Sequence, residues 1–222
     1  MKVIVVDLEM NPIARAYQEE RKICRMEIIE IGAVVLDDSY HEIGSFKTLV
    51  KPQYNTGIGS TYEKLTGIST AMVQDAPLFA DALSMFVSWC QSFRDEVCIY
   101  QWSESDMAQV RAEMKLKKIP ITEQNQDFLT DWYDFQREYN KALGLENSVS
   151  LENALMYAGL DFEGQQHDAL FDARNTAALI EVVRTPELYD HALKKVAEFL
   201  HPGPVVNTSL GDLFQKLGIV LN

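Results

Sequence analysis

The sequence predicts an α/β domain built on a mixed five-stranded sheet flanked by helices. Three strand-like segments fall within the first fifty residues, and two of them are nearly continuous in apolar residues. Beyond residue 77 the chain changes to amphipathic helices that alternate with short apolar segments. A run of strands followed by alternating strands and helices is typical of α/β domains with a mixed sheet.

The predicted strands begin at the amino terminus. Residues 2–6 are β-branched apart from Lys2, which indicates a strand buried on both faces. The next two strands are separated only by turn-forming residues, so we expect an antiparallel hairpin. The predicted strands after the first are 27–36, 42–50, 97–100 and 128–131.

Helical periodicity accounts for most of the remaining chain. Pro77 opens an amphipathic helix that continues to residue 93, and Ser105 is the predicted N-cap of a helix over 106–117. A short helical turn over 62–68 is capped by Gly67. The predicted apolar face of the helix after Pro77 is Leu78, Phe79, Ala82, Leu83, Phe86 and Cys90. Further helices are predicted over 133–143, 150–158, 169–184, 186–200 and 210–217.

Composition argues against several classes of protein. The 222 residues carry a formal net charge of −13, whereas broad capture of duplex nucleic acid needs a basic surface. The longest apolar runs fall short of a membrane span and the chain begins in a strand, so we expect no membrane segment and no signal peptide. The cysteines lack metal-ligand spacing, and Cys90 and Cys98 lie in apolar segments as predicted core residues. We therefore expect a cytoplasmic protein.

Two local clusters of basic residues interrupt the acidic sequence. We interpret both clusters as solvated surface rather than as binding patches. The clusters are Arg15, Arg21, Lys22 and Arg25, and Lys115, Lys117 and Lys118.

The first predicted strand ends on two carboxylates one residue apart. In a strand, side chains at i and i+2 leave the same face, so Asp7 and Glu9 point together while Leu8 points away. Neighbouring carboxylates repel each other and are costly to keep charged at the end of a buried strand. A divalent cation removes this conflict, and hard cations such as magnesium favour carboxylate oxygen. The alternative interpretation is a strand that enters solvent through a polar end.

Further acids and a histidine lie near the starts of predicted helices. Asp106 comes just past the fourth strand, where an acidic residue also suits the helix dipole. Residues 164–177 form a polar loop, led by a glycine, that continues into a helix. His167 lies in that loop and Asp172 follows near the helix start, so we expect both side chains to face one site.

This combination of residues resembles the DEDDh 3′-to-5′ exonucleases, which have the ribonuclease H-like fold. The resemblance covers residues 1 to 184 and is reinforced by the stretches 28–34 and 65–68. The stretches 65–68 and 167–176 are most similar to the branch of sporulation-inhibitor and RNA-trimming exonucleases. Met10 departs from the pattern, since many relatives carry threonine there. The motifs are Asp7-x-Glu9, Asp106 after the fourth strand, and His167-x-Ala169-x-x-Asp172-Ala173.

The resemblance implies metal-dependent hydrolysis of phosphodiester bonds from a free 3′ end of single-stranded nucleic acid. Two magnesium or manganese ions about 4 Å apart would activate the attacking water and stabilise the leaving 3′ oxygen. His167 would take the proton of that water, because histidine titrates near operating pH. Nucleoside 5′-monophosphates would leave one at a time. The implied metal ligands are Asp7, Glu9, Asp106 and Asp172.

The resemblance also implies contacts with the terminal nucleotide. The backbone from Leu8 to Met10 would meet the sugar, and Leu65, Thr66 and Ile68 hold the positions that contact the base. Plain packing is the alternative for these three residues. Trp102 either stacks a base, since stacking tolerates any sequence, or is a buried structural residue.

Three functions stay open at this point. RNA or short oligoribonucleotides are the favoured substrate, and a DNA exonuclease of repair or proofreading is the alternative, because the 2′-hydroxyl is read by small or backbone contacts. A non-catalytic nucleic-acid-binding adaptor is the third hypothesis, which loss of a carboxylate would favour.

The exonuclease domain is assigned to residues 1–184. We expect residues 185–222 to form a helical extension that packs on this domain or on a partner, including a second copy in a homodimer.

Overall fold

A mixed five-stranded sheet forms the centre of the protein, and this confirms the predicted fold class. The computed structural model describes residues 1–93, 96–123 and 125–200. The strands are β1 (Lys2–Pro12), β2 (Met26–Leu36), β3 (Glu42–Leu49), β4 (Val97–Gln101) and β5 (Trp132–Asp134). Their order in the sheet is β3-β2-β1-β4-β5. The pairs β1–β2 and β2–β3 are antiparallel, while β1–β4 and β4–β5 are parallel.

Helices pack on both faces of this sheet. Those between β1 and β4 are α1 (Gln18–Ile23), α2 (Ser60–Thr66), α3 (Thr70–Val73) and α4 (Phe79–Ser92). Those that follow β4 are α5 (Ser105–Lys117), α6 (Gln126–Leu129), α7 (Phe135–Ala142), α8 (Leu151–Ala158), α9 (Ala169–Arg184) and α10 (Pro186–Leu200). No helix in these described ranges is both long and apolar enough to cross a membrane.

Strand β1 separates two hydrophobic cores because its side chains alternate between the faces of the sheet. Val3 and Val5 contribute to the core that includes α7, α8, α9 and α10. Ile4 and Val6 contribute to the opposite core, which includes α4 and α5. The odd-numbered series continues through residues 7 and 9, so the two carboxylates of β1 lie on the α9 side of the sheet.

Several predicted local features are present at the predicted positions. The β2–β3 pair forms the expected antiparallel hairpin. Helix α2 ends at Gly67, which has a φ of 74° and donates its N–H to the Glu63 carbonyl, as in a left-handed helix cap. Helix α10 packs on α8 and α9 and adds Ala192 and Val196 to their core. The division of the chain at residue 184 stays a prediction, and the helix predicted over 210–217 lies outside the described residues.

The prediction of a fifth strand over 128–131 is wrong. That segment contains the end of helix α6, and the strand follows it at Trp132–Asp134. A local turn starts the helix, because Gln126 N–H donates to the Thr122 carbonyl and the Asn125 side chain accepts from Thr122 N–H. Leu129 is fully buried from this helical turn, so its apolar character is satisfied without a strand.

Smaller corrections concern single residues at element ends. Helix α5 begins at Ser105 with Glu104 as its N-cap, one residue earlier than predicted, and the Ser105 Oγ lies 2.7 Å from the Ser103 Oγ. Leu78 precedes α4 and is 42% exposed, so it does not belong to the buried face of that helix. Cys90 is buried as predicted, whereas Cys98 is only partly buried on β4.

The side chain of Lys117 is buried, which corrects its interpretation as solvated surface. Its Nζ lies 2.6 Å from Glu113 Oε1 and 3.1 Å from Glu27 Oε1, and its side chain is 7% exposed. Glu27 accepts hydrogen bonds from the backbone N–H groups of 53–55, and Glu113 accepts one from Ile28 N–H. This network therefore joins α5 to the start of β2 and to the segment that follows β3.

We predict that Lys117→Met lowers the free energy of unfolding by about 3 to 5 kcal/mol, because it leaves buried carboxylates without their cation. Urea denaturation followed by circular dichroism measures this change. Lys115→Met is the matched control, since Lys115 is exposed on the same helix turn. Equal stability of the two variants would contradict the structural importance of the network.

Candidate active site

The carboxylates of Asp7 and Glu9 leave the same face of β1, as the strand periodicity predicted. In the β1–β2 ladder, Asp7 is paired with Gly32 and Glu9 with Glu30. Residues paired in this way share a face of the sheet, so Glu30 lies beside Glu9. Glu9 is 7% exposed and Glu30 is 2% exposed. Three acidic side chains therefore lie on one face at this point of the sheet.

Asp106 reaches the same region from the neighbouring parallel strand. β4 pairs with β1 and ends at Gln101, whose side-chain Oε1 accepts the N–H of Met107 at 2.8 Å. This hydrogen bond ties the first turn of α5 to the end of the strand. Asp106 lies in that turn and is 5% exposed.

The start of α9 brings His167 and Asp172 to the acidic cluster. The side chain of Asp168 caps this helix by accepting the N–H groups of Leu170 and Phe171. One turn later, Asp172 Oδ2 accepts the backbone N–H of His167 at 3.2 Å. His167 has a left-handed φ of 61°, which turns the loop as it enters the helix.

Gly32 allows α9 to approach the sheet this closely. A Cβ atom at Gly32 would lie 2.2 Å from the carbonyl carbon of Ala169, so a larger residue would force the backbone of α9 away. Since Gly32 is the ladder partner of Asp7, this contact sets the helix start directly beside the carboxylates of β1.

Loss of hydration on burial, and then repulsion by neighbouring carboxylates, raises the pKa of each carboxyl in the cluster. Burial, followed by the charge of Asp172, raises the pKa of Glu9 to about 8 and that of Asp106 to about 8. Burial also raises the pKa of Asp172 to about 7, against the hydrogen bond from His167. The pKa of Asp7 is raised well above its usual value by burial and then by Asp106, Asp172 and Glu9. All four carboxyls therefore interact within one site.

Part of the cluster has the geometry of a metal site. Glu9, His167 and Asp172 each offer a ligand atom, and these atoms lie within 4.8 Å of one another. Asp172 Oδ1 is buried and has no hydrogen-bond partner in the described part of the chain, which leaves this oxygen available to a cation. Asp7 and Asp106 are linked to this group through their charges. A divalent cation bound here would offset the repulsion that raises the four pKa values.

The residues predicted to contact substrate occupy different environments. Leu65 is 45% exposed on α2, so its side chain is available to a ligand. Thr66 and Ile68 are buried, and the Thr66 hydroxyl is bonded to the Tyr62 carbonyl and the Ile68 N–H, which agrees with the packing alternative. The side chains of Leu8 and Met10 belong to the core beneath the sheet, and contact through their backbone stays a prediction.

Trp102 is buried, which agrees with the structural alternative considered for it. A base-stacking role for Trp102 stays a prediction. Trp102 is 8% exposed, and its ring lies near the rings of Phe135 and Tyr139, with centroid distances of 6.2 and 5.7 Å. Trp102 therefore belongs to the hydrophobic core that includes α7.

Three charged residues beside the site were not predicted from the sequence. Lys47 Nζ lies 2.6 Å from Asp168 Oδ2 and 3.2 Å from Glu30 Oε1. The available signal was Glu30, a charged residue that interrupts an otherwise apolar strand. Its partner on β3 is 17 residues away in sequence and Asp168 is 138 residues away, so no local pattern joins them.

The sheet is ribonuclease H-like, and acidic residues gather at the ends of its central strands. These two features define a class of α/β proteins with a candidate divalent-metal centre. The sequence profile of the RNase T family, described as Exonuclease, matches residues 4–180. The chain therefore belongs to the RNase T exonuclease family, and the recognition of DEDDh exonuclease motifs in its sequence is confirmed.

Named relatives agree with this assignment. ERI1 exoribonuclease 2 of Danio rerio is 29% identical over 203 residues, which cover 82% of this chain and 35% of the relative. The Xenopus laevis protein of the same name is 30% identical over 198 residues, which cover 80% of this chain and 27% of the relative. The chain thus spans about a third or less of the length of these relatives.

A solved structure has the same fold. It is the nuclease domain of 3′hExo, described as a DEDDh family member bound to rAMP. It superposes with a TM-score of 0.70 at 21% identity and covers 81% of this chain and 90% of that domain. At this identity the similarity establishes the fold.

We predict that the metal-free protein loses stability as pH rises from about 4 to 8, where the folded carboxyls stay protonated and the unfolded ones ionise. A raised folded pKa means that the folded state binds more protons in this window, so the free energy of unfolding falls as pH increases. Thermal melts in chelator between pH 5 and 8 measure the fall.

The control for this prediction is Asp106→Asn, which removes one group whose pKa is raised to about 8. Its melting temperature should fall less with pH than that of the unsubstituted protein. Added manganese should reduce the fall in the unsubstituted protein, because the cation binds ionised carboxylates. Identical pH slopes for both proteins would show that the acidic cluster does not control stability.

Proposed function

We propose that this protein is a metal-dependent 3′-to-5′ exonuclease that releases nucleoside 5′-monophosphates from single-stranded RNA, with short oligoribonucleotides favoured. The convergence of four carboxylates and His167 on one side of the sheet is the observation that carries the proposal. Membership of an exonuclease family supports it. The names of two relatives as exoribonucleases support RNA as the substrate.

The proposed metal ligands are Asp7, Glu9, Asp106 and Asp172. These residues suit magnesium or manganese because they supply carboxylate oxygens, and because Asp172 Oδ1 has no hydrogen-bond partner among the residues that the structure describes. Two such ions, when bound, would neutralise charge on the phosphodiester and lower the pKa of water. Bound cations would also explain why the fold brings together carboxylates whose charges repel one another.

His167 is the proposed general base. Its loop position leaves the side chain exposed, while its backbone N–H is held by Asp172 at 3.2 Å. The imidazole is therefore accessible to water at the site, while the His167 backbone is fixed relative to one proposed metal ligand. Histidine suits proton transfer near neutral pH, because its ordinary pKa lies close to that pH.

The terminal nucleotide is proposed to lie between the end of β1 and α2. The backbone of Leu8 to Met10 would contact its sugar, and the exposed Leu65 side chain would pack on its base. Thr66 and Ile68 would support this contact by holding the turn after α2, consistent with their burial and the Thr66 hydrogen bonds.

The protein is further proposed to work in a reducing compartment such as the cytoplasm. The three cysteines are free, and none pairs with another in the described residues.

A homodimer formed through residues 185–222 stays a prediction, which analytical ultracentrifugation of the full chain tests directly.

Cleavage of 5′-labelled single-stranded RNA and DNA of matched sequence tests the proposed activity. We expect a ladder that shortens from the 3′ end with magnesium or manganese, no cleavage in chelator, and a faster rate on RNA. Asp7→Ala and Asp172→Ala should abolish cleavage and leave the circular dichroism spectrum unchanged, since they remove metal ligands and relieve repulsion. Full activity in either variant would refute the site, and faster DNA cleavage would favour the repair or proofreading alternative.

His167→Ala should lower kcat by about 10² to 10⁴, which is the usual contribution of a general base. Manganese should still bind, because the four carboxylates remain. Isothermal calorimetry and single-turnover cleavage measure the two properties separately. His41→Ala is the control, since His41 is exposed in the β2–β3 turn and should keep full activity. An equal loss in both variants would exclude a specific role for His167.

A further inference from the structure

Lys47 lies in a row of residues that crosses the sheet beneath the start of α9. The strand register pairs Asp7 of β1 with Gly32 of β2, and Gly32 with Lys47 of β3. Paired residues share a face of the sheet, so Lys47 and Asp7 flank the contact that Gly32 makes with Ala169. The start of α9 is thus placed between a proposed metal ligand on one side and a lysine on the other.

The ammonium group of Lys47 links two carboxylates that hold this helix start. Nζ lies 2.6 Å from Asp168 Oδ2 and 3.2 Å from Glu30 Oε1. Glu30 Oε2 in turn accepts the N–H of Ala169 at 3.0 Å. Asp168 uses its other oxygen, Oδ1, to accept the N–H groups of Leu170 and Phe171. Each oxygen of both carboxylates therefore has a partner.

This arrangement fixes the backbone on which the proposed base and a proposed metal ligand are carried. Residues 168 and 169 directly follow His167. The Asp168 carbonyl accepts the N–H of Asp172 at 2.9 Å, and Asp172 Oδ2 accepts the N–H of His167. A shift of Asp168 would consequently move both the imidazole and the Asp172 carboxylate.

Removal of the lysine charge would strain this part of the structure. The Glu30 side chain is 3% exposed and lies beside Glu9 in the strand ladder. Without Lys47, Glu30 and Asp168 would face each other as buried or partly buried anions close to the other acids. Repulsion between them would separate β2 from the start of α9, because an unpaired buried charge is costly.

We propose that Lys47 is a positioning residue, which sets the His167–Asp172 segment against β1 by bridging Glu30 and Asp168. The inference depends on the proposed exonuclease function for its kinetic consequence. The expected loss of metal affinity does not depend on that function, because loss of the Lys47 bridge would move Asp172 whether or not the protein cleaves nucleic acid.

Lys47→Met is the test variant, with kcat, KM and manganese affinity measured well below the melting temperature. We expect kcat to fall about 10- to 100-fold, as for small misplacements of reacting groups, with KM changed by no more than about 2-fold. Manganese affinity, measured by calorimetry without substrate, should fall about 10-fold. Lys47→Arg keeps the cation and should recover most of both losses.

Arg174→Met is a matched control. Arg174 also joins α9 to β3, through two 2.9 Å hydrogen bonds to Glu42, but it does not contact Glu30 or Asp168 in the described structure. Removing it should lower the melting temperature and leave kcat and manganese affinity within about 2-fold of the unsubstituted protein. If Lys47→Met is unfolded at the assay temperature, Lys47→Gln replaces it. We expect the same losses of kcat and manganese affinity for Lys47→Gln as for Lys47→Met.

The outcomes separate the inference from the proposed function. Unchanged kcat and manganese affinity in Lys47→Met, or equal losses in Lys47→Met and Arg174→Met, would overturn the positioning role. If the unsubstituted protein cleaves neither RNA nor DNA, the exonuclease proposal fails, and manganese affinity alone decides the role of Lys47.

Discussion

The contact between Gly32 and the start of α9 is the constraint on which the candidate site depends. A side chain at position 32 would collide with the Ala169 backbone, so only glycine allows the helix to lie directly on β2. Because Gly32 is paired with Asp7, the same contact determines how near Asp172 comes to the carboxylates of β1. One missing Cβ atom thereby connects the packing of the fold to the electrostatics of its site.

The fold must supply the free energy that keeps these acids together. Burial and repulsion raise the pKa values of four carboxyls, which means that each disfavours the charged state in the folded protein. The hydrophobic core behind α9 supplies the compensating free energy, since Ala173 and Ile180 of that helix belong to the same core as Val5 and Val34 of the sheet. Local instability at the site is thus tolerated because the helix is anchored by apolar contacts further along its length.

Strand periodicity was sufficient to predict the acidic pair of β1, because alternation fixes the directions of residues 7 and 9 without reference to the rest of the chain. The helix containing Asp172 was equally visible in its apolar spacing.

The environment of Lys117 could not be predicted from the sequence, since the burial of its side chain depends on Glu27, which is 90 residues away in sequence. Trp102 gave no local sign of burial either, because its neighbours Phe135 and Tyr139 come from a helix that follows β5. Phe128 and Leu129 suited a strand and a helical turn equally well, and hydrogen bonds from 122–126 decided between them.

The charge balance of the protein agrees with the proposed action on chain ends. The protein has a net charge of −13, and the lysines closest to its two acidic networks, Lys47 and Lys117, are already paired with carboxylates. Neither is free to neutralise a phosphate, so attraction for a phosphate at the acidic cluster itself would, under the proposed function, come from cations held by the carboxylates. Such attraction would be confined to the few phosphates that reach the proposed metal site, whereas a basic surface attracts the whole length of a strand. Under the proposed function, an acidic protein with this centre is therefore better suited to engage a single terminus than to bind along a duplex.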